Sequence, residues 1–153
     1  MSRSVSKEEL LTMAGQEMEP SSWFPVDQDR VNQFADATND HQWIHVDEAK
    51  AAHTPFGGTI AHGLLSLSLL PALASEKTIA PEGLVMAFNY GYNKVRFLNP
   101  VRVGSEVRLH SKIIDVREKE PGRVLVTSEV QLEIQGVDKP ALIAESLVLY
   151  VVG

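Results

Sequence analysis

The chain has 153 residues, 44% of them hydrophobic and 22% charged. That is the ordinary balance of one soluble globular domain, long enough to bury a core without staples. Its 14 basic and 20 acidic residues leave a net charge of −6, which with no Lys/Arg run argues against nucleic acid as the main partner. It has no cysteine, so disulfides, thiolate metal sites and a thiol nucleophile are out.

Met1 to Lys7 has no apolar segment behind it, so no signal peptide is expected. The longest apolar stretch, Leu64 to Ala74, carries Ser66, Ser68 and Pro71 and falls short of the roughly 20 residues a bilayer span needs. A cytoplasmic protein without a membrane span is the default expectation. Ser6 to Met18 reads as a short N-terminal helical arm, with Ser6 as N-cap and Glu9 completing a capping box. Trp23 to Val26 is a short extended piece that can serve as an edge strand. Asp27 caps the next helix, in which Val31, Phe34, Ala35 and Thr38 fall on one stripe. That helix should end near Thr38-Asn39 and leave Asp40 to His45 on a loop or tight turn. Asp47 to Ala52 should add one or two helical turns, and Thr54 to Gly58 a loop.

From Ile60 to Leu73 the residues are apolar almost all round, the mark of a buried helix, with Pro71 expected to kink or end it. The second half reads as strands. Leu84 to Tyr90 and Tyr92 to Leu98 form one long strand bulged at Gly91, followed by Glu106 to Val116. Val124 to Ile134 alternates strictly, with Ser128 on the apolar face, as a half-buried antiparallel strand does. Ala141 to Val152 is apolar on both faces, as a central strand is. The class is therefore α+β: a single domain over residues 1–153 in which a curled antiparallel sheet wraps one apolar helix, the hotdog arrangement.

Chemistry concentrates in Asp40-His41-Gln42-Trp43-Ile44-His45. A carboxylate and an imidazole five residues apart can share acid–base work near neutrality, although an Asp past a helix end is often only a turn-former. Gly63, at the start of the apolar helix, can present a backbone N–H backed by the helix dipole to a developing oxyanion, or serve close packing. His62 fits packing, a helix-end hydrogen bond or substrate contact. Ser68 fits a pocket role or a bond back to the preceding turn. A metal set from His41 and His45 with Asp40 or His53 has permissive spacing but lacks a His-Glu-x-x-His motif, and His41 is expected to face solvent. Lys94, Arg96 and Arg102 could meet phosphates or be solvated edge protection.

Phe34-Ala35-Asp36-Ala37-Thr38-Asn39-Asp40-His41-Gln42-Trp43-Ile44-His45-Val46-Asp47, followed by Thr59-Ile60-Ala61-His62-Gly63-Leu64-Leu65, resembles the MaoC-like dehydratases, which include the R-specific enoyl-CoA hydratases. Their Gly-Asp-x-Asn-Pro-x-His run places its Asp and His on Asp40 and His45; Asn39, Gln42 and Trp43 replace its Gly, Asn and Pro. With Asn89 to Phe97 downstream, the chain is most similar to the subgroup named after nodulation protein N. The resemblance implies a hotdog fold, a homodimer and an acyl-CoA or acyl-carrier-protein thioester as substrate. It also implies hydration of 2-enoyl thioesters, or the reverse, by an Asp40/His45-held water, with the oxyanion contact at Gly63 and substrate contacts from Ser68, His62 and Gln42. No metal, flavin or nicotinamide is implied, and coenzyme A enters as part of the substrate. An acyl-CoA thioesterase on the same fold and a non-catalytic partner subunit are the alternatives.

Overall fold

The protein was analysed as a computed structural model, which describes residues 3–153. In chain order it contains β1 (Arg3–Val5), α1 (Lys7–Leu10), β2 (Phe24–Pro25), α2 (Gln28–Thr38), α3 (Trp43–Val46), α4 (Glu48–Ala51), α5 (Gly63–Ser75), β3 (Ile79–Pro81), β4 (Leu84–Phe97), β5 (Glu106–Glu120), β6 (Arg123–Ile134) and β7 (Leu142–Val152). Five strands form one antiparallel sheet in the order β2-β5-β6-β7-β4, while β1 and β3 pair in parallel. The sheet curls round α5. Its apolar inner rows, including Leu109, Val130, Leu132 and Leu142, bury Leu65, Leu69, Leu70 and Leu73 of the helix. A second cluster joins Val5, Leu10 and Met13 to Ile113, Val124 and Tyr150, so the N-terminal arm closes one end of the sheet.

Local chemistry sets most boundaries. The Asp27 side chain accepts from Arg30 N–H at 2.9 Å and opens α2; Asn39, left-handed at φ 57°, ends it. Val31 and Ala35 of the predicted stripe are buried and Phe34 is partly buried, but Thr38 is exposed. β7 lies inside the sheet, and the expected bulge falls between Asn89 and Gly91.

Four expectations need correction. The helical arm stops at Leu10. Ser6 accepts from Glu9 N–H at 3.0 Å as an N-cap should, but further on Gly15 N–H bonds Ile113 O and Met18 N–H bonds Ser111 O. Those backbone donors go to β5 instead of to another helical turn. His45 lies in the short helix α3 instead of a loop. Pro71 does not stop α5, which continues to Ser75; the buried Leu69, Leu70 and Leu73 hold it against the sheet through the missing N–H. Finally, α5 is not covered all round: Leu64 is 59% exposed, and Ser68 and Ala72 continue that open stripe one and two turns on.

Candidate active site

His45 is 7% exposed. Its ring is oriented by Ile60, whose carbonyl accepts from Nδ1 at 2.6 Å. A carbonyl only accepts, so Nδ1 carries the proton and Nε2 of the neutral ring offers its lone pair. Burial holds the imidazole below its ordinary pKa; the neighbouring His62 pushes the same way, while the Ile60 bond and the Asp40 charge oppose them. His45 is therefore a neutral acceptor at neutral pH.

The backbone beneath it is clamped twice. Ile60 N–H bonds Ile44 O at 3.1 Å. The Gln28 side chain donates to His45 O at 2.7 Å and accepts from Thr59 Oγ at 2.6 Å. Residues 59–61 are themselves strapped to the segment after β4, Ala61 N–H to Val101 O and Val103 N–H to Thr59 O. Sequence reasoning missed Gln28 and Thr59. Their only signal was a polar residue opening a helix and a Thr beside two glycines.

Asp40 follows the αL cap of α2, and its N–H bonds Ala35 O at 3.1 Å. Its carboxylate is about half exposed, and Oδ1 lies 3.4 Å from Gln42 N, the geometry of a loose Asx turn. The turn-forming and functional readings of this Asp are thus compatible. Gln42 precedes α3 and is exposed.

His62 is 3% exposed and stacks on His45 with ring centroids 3.8 Å apart, and the Phe34 ring tilts against it at 4.9 Å. Its Nε2–H donates to the Asp40 carbonyl at 3.0 Å, and Asp40 Oδ2 lies 4.0 Å away. His62 thus combines packing with a helix-end hydrogen bond and ties the loop of the carboxylate to the start of α5. Its Nδ1 is buried without a partner.

Gly63 is the first residue of α5, so its N–H has no acceptor within the helix. A Cβ built there would meet the Phe97 ring at 3.0 Å, so close packing alone already favours glycine. Ser68 donates to Leu64 O at 2.7 Å, the bond back to the preceding turn, on the open stripe of the helix.

The arrangement brings Asp40, His45 and His62 together, with ligand-type atoms all within 4.8 Å, and sets them beside Gly63. His41 turns away and pairs with exposed Asp36 at 2.8 Å, and His53 is exposed, so the metal set read from spacing is not assembled. The trio that is assembled suits an ion poorly. Two stacked rings send in-plane lone pairs along near-parallel planes, and each ring already commits one nitrogen to a carbonyl. Of the basic residues, Lys94 lies 3.8 Å from Glu145, and Arg96 donates to its neighbour Val95 O. Arg102 is exposed on the segment bridged to Ile60.

The curled antiparallel sheet round one helix is the hotdog fold. Residues 9–135 match the family described as MaoC like domain, and the chain belongs to it. It is 48% identical over 143 residues to 3-hydroxyacyl-thioester dehydratase Z of Mycobacterium tuberculosis, covering 94% of each chain. It is 41% identical to nodulation protein N of Rhizobium meliloti, over 92% of this chain and 88% of that one. Among solved structures, the (R)-hydratase from A. caviae involved in PHA biosynthesis superposes with a TM-score of 0.71 at 27% identity, over 88% of this chain and 94% of that one.

Proposed function

We propose that this chain hydrates 2-enoyl thioesters of coenzyme A or acyl carrier protein to (R)-3-hydroxyacyl thioesters, and catalyses the reverse dehydration. The observation that carries the proposal is the pairing of a neutral, Nδ1-anchored His45 with the Asp40 carboxylate at the opening of α5. Two acceptors take the two hydrogens of one water and leave its oxygen lone pair for C3 of the substrate. As the C3–O bond forms, electrons shift through C2 onto the thioester oxygen, where Gly63 N–H and the helix dipole stabilise the charge. The proton released to the Asp40/His45 pair then goes to C2, so the pair serves as base and then as acid. Gln42, His62 and Ser68 are assigned to holding this site and its substrate. The names of the relatives, dehydratase and (R)-hydratase, are those of the two directions of this reaction and support it.

The working unit in this proposal is a homodimer. β4 is an edge strand, and Val85, Met86, Phe88, Tyr90 and Phe97 on it are each 47–61% exposed, beside Leu64 of α5. An uncovered edge with that much apolar surface calls for a partner, and a second copy joining edge to edge would also roof the open stripe of α5.

The test is incubation with crotonyl-CoA, following loss of enoyl absorbance and the configuration at C3. R-configured 3-hydroxybutyryl-CoA is expected. Free thiol in place of alcohol would make the chain a thioesterase instead.

A further inference from the structure

A cavity of about 100 Å³ lies under the second half of α5, between the helix and the inner face of the sheet. Leu70, Pro71 and Leu73 form its helical wall, and Ile113, Val126 and Val148 part of its floor. Across the middle of that floor runs a polar row. Strand register sets Ile113 opposite Ser128, Ser128 opposite Ser146, and Ser146 opposite Tyr92. Ser111 and Asn89 stand on the same face, one pair to either side, and all five polar residues line the cavity. Apart from those two, the rows on either side are apolar, with Val130 and Ala144 on one and Val126 and Val148 on the other.

These polar groups have no use within the chain. Among the described residues, the hydroxyls of Ser111, Ser128, Ser146 and Tyr92 make no hydrogen bond. Nor are they sealed in, since the sealed, partnerless polar atom is His62 Nδ1. The Tyr92 phenol, whose pKa burial raises further above neutrality, is protonated and able to donate. Within so apolar a wall these hydroxyls are left for water or a ligand to meet.

The cavity and the Asp40/His45 site lie along the same seam between α5 and β4. At its upper end Gly63 of α5 abuts Phe97 of β4; at its lower end Pro71 of α5 faces Tyr92 and Asn89 of β4 in the cavity wall. The open helix stripe of Leu64 and Ser68 lies between. Eight residues of helix at ~1.5 Å each separate the ends by about 12 Å. Extended chain advances roughly 1.2 Å per bond, so a thioester polarised at Gly63 would deliver its acyl chain to the serines after on the order of ten bonds.

Building on the function proposed above, we infer that the cavity is the far end of the acyl pocket, and that its serine–tyrosine row selects acyl chains bearing a hydroxyl or carbonyl oxygen near that end. A plain alkyl tail would strip solvent from the hydroxyls and return no hydrogen bond, and a site built to bond an oxygen rejects the analogue lacking it.

The test compares 2-dodecenoyl-CoA with 12-hydroxy-2-dodecenoyl-CoA on the intact protein, reading kcat/KM from the enoyl absorbance. The hydroxylated substrate is expected to lead by about tenfold or more, and the lead should vanish in Ser128→Ala/Ser146→Ala, whose thermal melt checks folding. The alanines remove only oxygens, so the cavity does not fill. Crotonyl-CoA is too short to reach the row and reports on the reaction alone. If the wild-type protein fails on crotonyl-CoA, the proposed reaction falls; the pocket is then judged by calorimetric affinities for dodecanoyl-CoA and 12-hydroxydodecanoyl-CoA, with the same ratio expected. A wild-type preference for the plain chain, or a ratio that the serine variant leaves unchanged, overturns the inference and leaves the row a water site.

Discussion

At the scale of single residues, the proposed reaction depends on two acceptors, each held by backbone. Asp40→Asn keeps the shape of the side chain but cannot take a proton. It should lower hydration by roughly 10²–10⁴-fold with an unchanged unfolding profile, measured on crotonyl-CoA. His45→Ala should be as inactive, and the double variant little worse than either, because two groups on one water act as a unit. Strictly additive losses would assign them to separate steps. The pH dependence has a definite sign. His45 must be neutral to accept, and burial holds its pKa below the ordinary 6.5. The kcat/KM profile should therefore stay level as pH falls through 6.5 and drop only at a more acid pH. Asp40 raises the His45 pKa, so Asp40→Asn should move the imidazole titration still lower in NMR; an upward move would mean that the two groups do not face each other. The same depression bears on stability. Below about 6.5 the unfolded chain binds a proton that the folded His45 refuses, so stability is lost as pH falls from there toward the folded pKa.

At the scale of elements, the junction of α5 with β4 decides what Gly63 is for. Gly63→Pro removes the N–H at a helix position where proline is tolerated, and losing an oxyanion donor typically costs about 10²–10³ in rate. Gly63→Ala keeps the N–H but drives a methyl into the Phe97 ring at 3.0 Å, so alanine alone is not a clean control. Phe97 is 48% exposed and can be trimmed. Adding Phe97→Leu should restore turnover to the Ala variant and not to the Pro variant. Recovery of both would reduce Gly63 to packing. The short helix α3 was harder to read in advance. Asp40 to His45 carries the marks of a turn, and only the clamp from Gln28 and Ile60 winds its second half into helix and turns His45 inward.

For the whole molecule, the open flank of β4 and α5 predicts a concentration-dependent dimer. Light scattering should give twice the 16.9 kDa chain mass. Phe88→Glu, which places a charge on the exposed edge strand, should halve that mass and lower the melting temperature. A fully active monomer at working concentration would remove the dimer from the proposal. Among the described residues no helix is long and apolar enough to cross a membrane.

What the sequence determined by itself is what short-range chemistry governs. The Asp27 cap and the Asn39 stop of α2 depend on residues a few positions away, and so do the alternation of β6 and the apolar character of α5. The Asp40/His45 pair was visible because five residues of chain keep it together. The tertiary structure decided whatever depends on register and on which faces meet. His62 stacks on His45 only because Ile60 and Val101 strap their segment across α3. The arm leaves helix because β5 takes its donors. Ser128 meets Ser146 because β6 and β7 pair in one register out of several, and a slip of one residue would turn both to the other face. A periodic pattern says which face is apolar; it does not say what lies opposite, and the open stripe of α5 and the polar row of the cavity were both decided there.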